Sequence, residues 1–338
     1  MGLAAVKSVS AGEGLQGEGG EEGSPRKAVV GPPAPSAELD RVDIWLLAMR
    51  PKTLPAAMAP VLAGTGLAIH DGVFNALPAL AAMVGALLIQ IGTNLANDYS
   101  DFRRGADTHE RLGPTRVTQA GLLQPEEVKR GAMVALGAAF LVGIYLVAVG
   151  GWPIVIIGLA SLVCAVAYTG GPFPLAYNYL GDVFVFLFFG LVAVGGTYWV
   201  QAGFLSPAAI LVGSGVGALA TAILVVNNLR DLETDARAGK KTLATLLGVQ
   251  GTRIQYMALL FMAWHVPPAG VALYGWSSWT FLAVAALVMG GLVPLRRVIA
   301  FQDPRELNNA LAGTARLTGL YGALLALGLM LGSGTAAP

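Results

Sequence analysis

Two short stretches of this sequence hold the residues best suited to chemistry. Asn94, Asp98 and Asp101 stand at i, i+4 and i+7, a spacing that predicts one face of a helix end. Asn227, Asp231 and Asp235 stand at i, i+4 and i+8, and the same reading predicts a second such face. The pattern Asn-x-x-x-Asp is therefore shared by the two stretches, each at the polar end of a long apolar run. Such an arrangement is costly. Acids stacked on one face repel, and a helix C-terminus is the negative end of the macrodipole. Acids at membrane depth are expensive and usually functional. A bound cation reverses the sign of these terms. Mg²⁺ takes one or two carboxylates and leaves other positions to substrate phosphates. Two such faces opposite one another could hold two Mg²⁺ ions bridging a diphosphate. The plainer alternative is a solvated helix end, its acids paired with Arg103, Arg104 and Arg230. The repeat of Asn at the same offset argues against it.

Cations stand close to both stretches. Arg116 lies in Pro114-Thr115-Arg116-Val117-Thr118-Gln119-Ala120-Gly121, Arg230 within the second stretch, and Lys240 and Lys241 just after it. Arg50 precedes Pro51 where the chain first turns apolar. A diphosphate leaving group needs such charges. These five are the candidates to bind it, while Arg296 and Arg297 read as headgroup anchors.

The elements that must position these residues are membrane helices. Of 338 residues, 55% are apolar and 12% charged, against about 25% charged in soluble domains. The mean hydropathy is +0.65. A helix needs about 20 residues to cross the hydrocarbon core. Stretches without Asp, Glu, Lys or Arg run over Thr53–His70, Gly72–Asn97, Gly131–Gly181, Val183–Leu229, Ile254–Leu295 and Leu317–Pro338. The three longest are interrupted near their middles by Gly, Pro and Ser, so each predicts a helical hairpin. The expectation is an all-α polytopic bundle of nine transmembrane helices. With the N-terminus cytoplasmic, the inner segments are 1–52, 98–130, 170–181, 230–253 and 296–316. They hold all 21 Lys and Arg, as the positive-inside rule requires. The acidic stretches then face the cytoplasm, on long inner loops of the kind that carry function.

The rest of the sequence narrows the field. Residues 1–40 are rich in Gly, Ala, Ser, Pro and Glu and read as a disordered cytosolic tail, with residues 41–338 as the transmembrane domain. The tail lacks the apolar centre of a signal peptide. Cys164, the one cysteine, sits in an apolar run and cannot form an internal disulfide. His70, His109 and His265 have no metal-ligand spacing. Nothing points to nucleic acid.

The chain resembles the UbiA superfamily of membrane prenyltransferases, and within it the 1,4-dihydroxy-2-naphthoate branch. The segments that carry the likeness are Arg50–Pro55, Asn94–Asp101, Arg116–Gly121, Tyr168–Pro172, Gly181-Asp182, Asn227–Asp231 and Gly239–Leu243. It covers roughly 43–332. The common superfamily form places a third acid four residues after the second. Gly105 stands there and the next acid is Asp107, a longer spacing that the naphthoate branch shares.

The resemblance implies nine helices and transfer of a polyprenyl group from polyprenyl diphosphate to 1,4-dihydroxy-2-naphthoate. CO₂ is lost and demethylmenaquinol forms, a step of menaquinone biosynthesis at the bacterial inner membrane. It implies Mg²⁺ held by Asn94, Asp98, Asp101, Asn227, Asp231 and Asp235. Tyr168 would steady a carbocation with its ring face, or else anchor at headgroup level. Asp182 would bind or deprotonate the aromatic acceptor. Other acceptors, 4-hydroxybenzoate or homogentisate, keep the same chemistry. A divalent-cation or metabolite transporter is the alternative of another class. Acids at helix ends rather than at the bilayer midplane oppose it.

Overall fold

The computed structural model describes residues 39–105 and 112–333. Residues 1–38 of the expected tail, and Asp107, lie outside the described residues. Among the described residues every regular element is helical, with one isolated bridge between Asn178 and Lys241.

A short helix, α1 (Arg41–Met49), begins on an Asp40 cap whose side chain accepts from the Asp43 amide. It stops at Arg50, which takes a left-handed backbone with φ 56° directly before Pro51. The membrane helices follow. They are α2 (Leu54–His70), α3 (Ala76–Arg103), α4 (Pro125–Gly150) and α5 (Trp152–Ala167). Next, α6 (Gly181–Val185) runs through one π-helical stretch, Phe186–Val192, into α7 (Ala193–Ala202). After α8 (Pro207–Arg230) and the short α9 (Leu232–Arg237) come α10 (Leu243–Tyr274), α11 (Leu282–Ala300) and α12 (Leu307–Leu331).

The hairpin breaks fall where the Gly and Pro clusters place them. Gly151 separates α4 from α5. Gly203 ends α7 with φ 79°, and Ser206 caps α8, with Pro207 in its first turn. Gly275 ends α10 in the left-handed region.

Among the described residues, eight helical stretches are long and apolar enough to cross a membrane. Helix α5, where the sequence reading placed a further crossing, has only 16 residues. At about 1.5 Å per residue it spans about 24 Å, short of a ~30 Å hydrocarbon core. The chain is an integral membrane protein of the all-α class.

Helix α8 runs through the middle of the bundle and is buried over most of its length. Its neighbours come close because small residues face each other. A Cβ on Gly190 would lie 2.5 Å from the Gly213 carbonyl oxygen, so that seam tolerates nothing larger than hydrogen. The main core joins α2, α7, α8, α10, α11 and α12, with Leu219, Tyr321 and Leu325 fully buried. A separate cluster of Ala48, Leu95, Val117 and Val128 ties α1 and the 112–124 loop to α3 and α4. That cluster holds the first acidic stretch in place.

Candidate active site

Asn94, Asp98 and Asp101 share the buried face of α3, as the spacing requires. Asp98 is 1% exposed. Its carboxylate accepts from the backbone N–H groups of Val117 and Thr118, at 3.2 and 3.3 Å. Asp101 accepts from the Arg116 guanidinium at 2.9 Å and from the Tyr177 hydroxyl at 3.2 Å. Asn94 donates to the Met49 carbonyl and the Thr53 hydroxyl, both at 2.9 Å, and accepts from Gln90 at 3.3 Å. Its amide thus fixes the α1–α2 junction to α3, and its oxygen is held by Gln90.

The second stretch departs from the expected geometry. Helix α8 ends at Arg230, and Asp231 sits at the break before α9 with φ −92° and ψ 9°. The i, i+4, i+8 face is therefore not continuous, and Asp235 belongs to a new helix. The break is stabilised by Arg230, whose side chain has 0% exposure. It donates to both oxygens of Asp231, at 2.8 and 2.5 Å, to Asn227 at 2.9 Å and to Asn308 at 2.9 Å. A guanidinium so engaged braces Asp231, Asn227 and Asn308 together. Asp235 is paired with Lys240 at 3.1 Å. Burial pushes its carboxyl above the usual range, and Lys240 opposes that rise. The Lys241 side chain is exposed, while its backbone carbonyl accepts from Tyr179 N–H at 2.8 Å.

The loop between α5 and α6 stands between the two stretches. Tyr168 follows α5 directly and is buried. Burial first, then the charges of Asp182, Asp101 and Asp235, push its phenol well above its ordinary value. Acids from both stretches therefore act on one tyrosine. Asp182 opens α6 and accepts from Gln255 of α10 at 3.0 Å. Thr169 donates to Asn97 at 2.8 Å, and Arg104 donates to the Thr169 carbonyl at 2.9 Å and to the Gly171 carbonyl.

A cavity of about 570 Å³ opens beside Tyr168. Gln90, Thr93, Asn94, Asn97 and Tyr168 make one end polar. The remainder is lined almost wholly by apolar side chains of α2 to α7, among them Phe140, Ile144, Leu159 and Phe188. Along α3 the lining extends from Asn97 back to Ala82, about 22 Å at 1.5 Å per residue. An oily slot with a polar end suits an amphiphile.

Among the described residues no three His, Cys, Asp or Glu side chains converge closely enough to bind a metal ion by themselves. The donor set still fits Mg²⁺. All candidate ligands are oxygens, two carboxylates stand at each stretch, and Mg²⁺ draws remaining ligands from phosphate and water.

Sequence reasoning passed over Tyr177, Asn308 and Gln255, and offered Arg104 only as a partner for the acids. Tyr177 carries a signal, as a second tyrosine on the short polar loop that already offered Tyr168. Asn308 carries none, because its partner Arg230 lies far away along the chain.

Residues 57–320 match the UbiA prenyltransferase family. The chain belongs to that family. It is a prenyltransferase. It is 39% identical over 303 residues to a 1,4-dihydroxy-2-naphthoate octaprenyltransferase of Escherichia coli, covering 87% of this chain and 97% of the relative. It is 35% identical over 303 residues to the protein of that description from Haemophilus influenzae, with the same coverage. Among solved structures, a UbiA homolog from Archaeoglobus fulgidus bound to GPP and Mg²⁺ superposes with a TM-score of 0.59 at 15% identity, over 83% of this chain and 99% of that one. At that identity the likeness concerns the fold.

Proposed function

We propose that this UbiA-family enzyme transfers a polyprenyl group from polyprenyl diphosphate to 1,4-dihydroxy-2-naphthoate with loss of CO₂, yielding demethylmenaquinol. The observation that carries the proposal is an apolar slot whose polar end holds Asn94 and Tyr168, beside two acidic stretches linked by contacts from Asp101 through Tyr177 and Lys240 to Asp235. The acceptor follows from relatives of that description, which this chain matches over nearly their whole length.

Asp98, Asp101, Asp231 and Asp235, with the oxygens of Asn94 and Asn227, would hold Mg²⁺ against the diphosphate. The metal supplies Lewis-acid stabilisation of the leaving group. The chain's own residues do the rest. Arg116 and Lys240 add positive charge where the diphosphate oxygens gather. Arg50 and Lys241 stand further back as candidates to bind it. Arg230 acts indirectly, by fixing Asp231 and Asn227.

The allylic C–O bond breaks and its electron pair leaves on the diphosphate. The allylic carbon, carbocation-like, is faced by the Tyr168 ring. The naphthol ring supplies the pair that makes the new C–C bond. The carboxyl group then departs as CO₂, returning its bonding electrons to the ring. Asp182 orients or deprotonates the acceptor. The apolar slot holds the prenyl chain and keeps water from the cation. The enzyme works from the membrane lipid phase, in a bacterial inner membrane with the N-terminus and active site cytoplasmic.

The test uses purified protein in detergent, a long-chain prenyl diphosphate and Mg²⁺, with 1,4-dihydroxy-2-naphthoate and 4-hydroxybenzoate offered in parallel. A prenylated naphthol lacking the carboxyl mass is expected. Product only from 4-hydroxybenzoate would overturn the acceptor and keep the chemistry.

A further inference from the structure

The loop between α5 and α6 is held from both sides, and one residue on it touches both halves of the site. On the first side, Thr169 and Gly171 are bound to Asn97 and Arg104 of α3. On the second, Asn178 and Tyr179 are bridged to Lys241. Tyr179 adopts φ 61° to make that bridge, a backbone uncommon for a non-glycine residue. Between these two anchors sits Tyr177, half-buried. Its hydroxyl donates to Asp101 at 3.2 Å. Its ring lies 5.8 Å from the Arg104 guanidinium and 5.5 Å from the Lys240 ammonium. Lys240 in turn holds Asp235.

The chain of contacts runs Asp101, Tyr177, Lys240, Asp235. It joins an acid of the first stretch to an acid of the second through one aromatic ring. Two cations near one another repel, and an aromatic face is a neutral surface that attracts both. Burial pushes the Tyr177 phenol well above its ordinary value, followed by the charge and hydrogen bond of Asp101, so the hydroxyl keeps its proton and remains a donor.

We propose that Tyr177 is a positioning residue that holds the two acidic half-sites in register. Its hydroxyl orients Asp101 toward the metal, and its ring presents Arg104 and Lys240 to the diphosphate. This rests on the diphosphate-binding reading above. The two functions of the ring and the hydroxyl separate by substitution. Tyr177→Phe keeps the ring and loses the bond to Asp101. Tyr177→Leu loses both.

The test is calorimetric titration of inorganic pyrophosphate into the detergent-solubilised full chain at a series of Mg²⁺ concentrations, with melting temperature recorded for every variant. Phe173→Ala, an exposed change on the same loop, is the control. Tyr177→Phe should hold pyrophosphate within about threefold of wild type and raise the Mg²⁺ midpoint about fivefold. Tyr177→Leu should weaken pyrophosphate about tenfold or more and raise the midpoint as well. Phe173→Ala should change neither. If both Tyr177 variants only melt earlier and bind pyrophosphate and Mg²⁺ as wild type does, Tyr177 is a packing residue and the proposal is overturned. If Tyr177→Leu does not fold, an unchanged Mg²⁺ midpoint in Tyr177→Phe overturns it alone. Failure of the wild type to bind pyrophosphate at any Mg²⁺ concentration would sink the diphosphate reading itself, a separate outcome.

Discussion

The two acidic stretches share a sequence pattern and differ in how the fold holds it. In the first, α3 runs unbroken past Asp101, and Asp98 is satisfied by two backbone amides from a loop. In the second, the helix breaks at Asp231, and that acid is satisfied by a guanidinium with no exposure. Amides neutralise little charge, so Asp98 keeps its negative field for an incoming cation. Asp231 has its charge matched by a neighbour already in place. The first stretch reads as the more open metal ligand. The second is the more heavily braced.

Removing the acids tests that contrast most severely. Asp98→Ala and Asp231→Ala should each lower Mg²⁺-dependent turnover by about a thousandfold, as expected when charge stabilisation of a leaving group is lost. Both should also lose stability. Asp231→Ala strands a buried guanidinium and should cost about 3–5 kcal/mol. Asp98→Ala strands two amides, about 2–6 kcal/mol together. Unfolding in detergent measures both, and a loss below about 1 kcal/mol at Asp231 would contradict the brace.

Arg230→Ala and Arg116→Ala sharpen the same distinction among the cations. Arg230→Ala should act on stability, with a fall of about 3–5 kcal/mol as Asp231 loses its partner. Arg116→Ala should also lose stability, because buried Asp101 loses its partner, and should in addition raise the KM for prenyl diphosphate about tenfold. An unchanged KM in Arg116→Ala would count against separate roles.

The pH dependence follows from Asp235. Burial raises its pKa and Lys240 lowers it. Metal binding needs the ionised acid, so activity should climb as pH rises through that pKa. Lys240→Met removes the opposing charge, raises the pKa further and moves the acid limb of the profile toward higher pH. A shift toward lower pH would mean that Lys240 does not act through Asp235. The smallest effect belongs to Lys241. Its side chain is exposed and its contribution to the loop is a backbone carbonyl. Lys241→Ala should change kcat/KM by less than about threefold in steady-state assays, and a larger loss would return that side chain to the diphosphate.

The bundle was legible because hydrophobic runs and their Gly and Pro interruptions are local signals. The breaks at Gly151, Gly203 and Gly275 needed no tertiary information. Helix α1 escaped because nine residues ending at an arginine give too little periodicity to register. The face of Asn94, Asp98 and Asp101 was readable because α3 continues through it. Between Asp231 and Asp235 the helix is interrupted at Asp231, which helical spacing alone does not foresee, although backbone bonds still link Asn227 to Asp231 and Asp231 to Asp235. Tyr177 escaped for a similar reason. Its partners come from α3 and from the turn after α9, and sequence spacing relates neither to the loop that carries it.

The central claim is that both stretches act on one metal–diphosphate group. A double-mutant cycle of Asp101→Asn and Asp235→Asn, read as pyrophosphate affinity in saturating Mg²⁺, tests it most directly. The expected result is strong coupling, with the double variant binding little worse than either single one. Losses that simply add, or a single variant that binds as wild type does, would mean that the two stretches do not share a ligand.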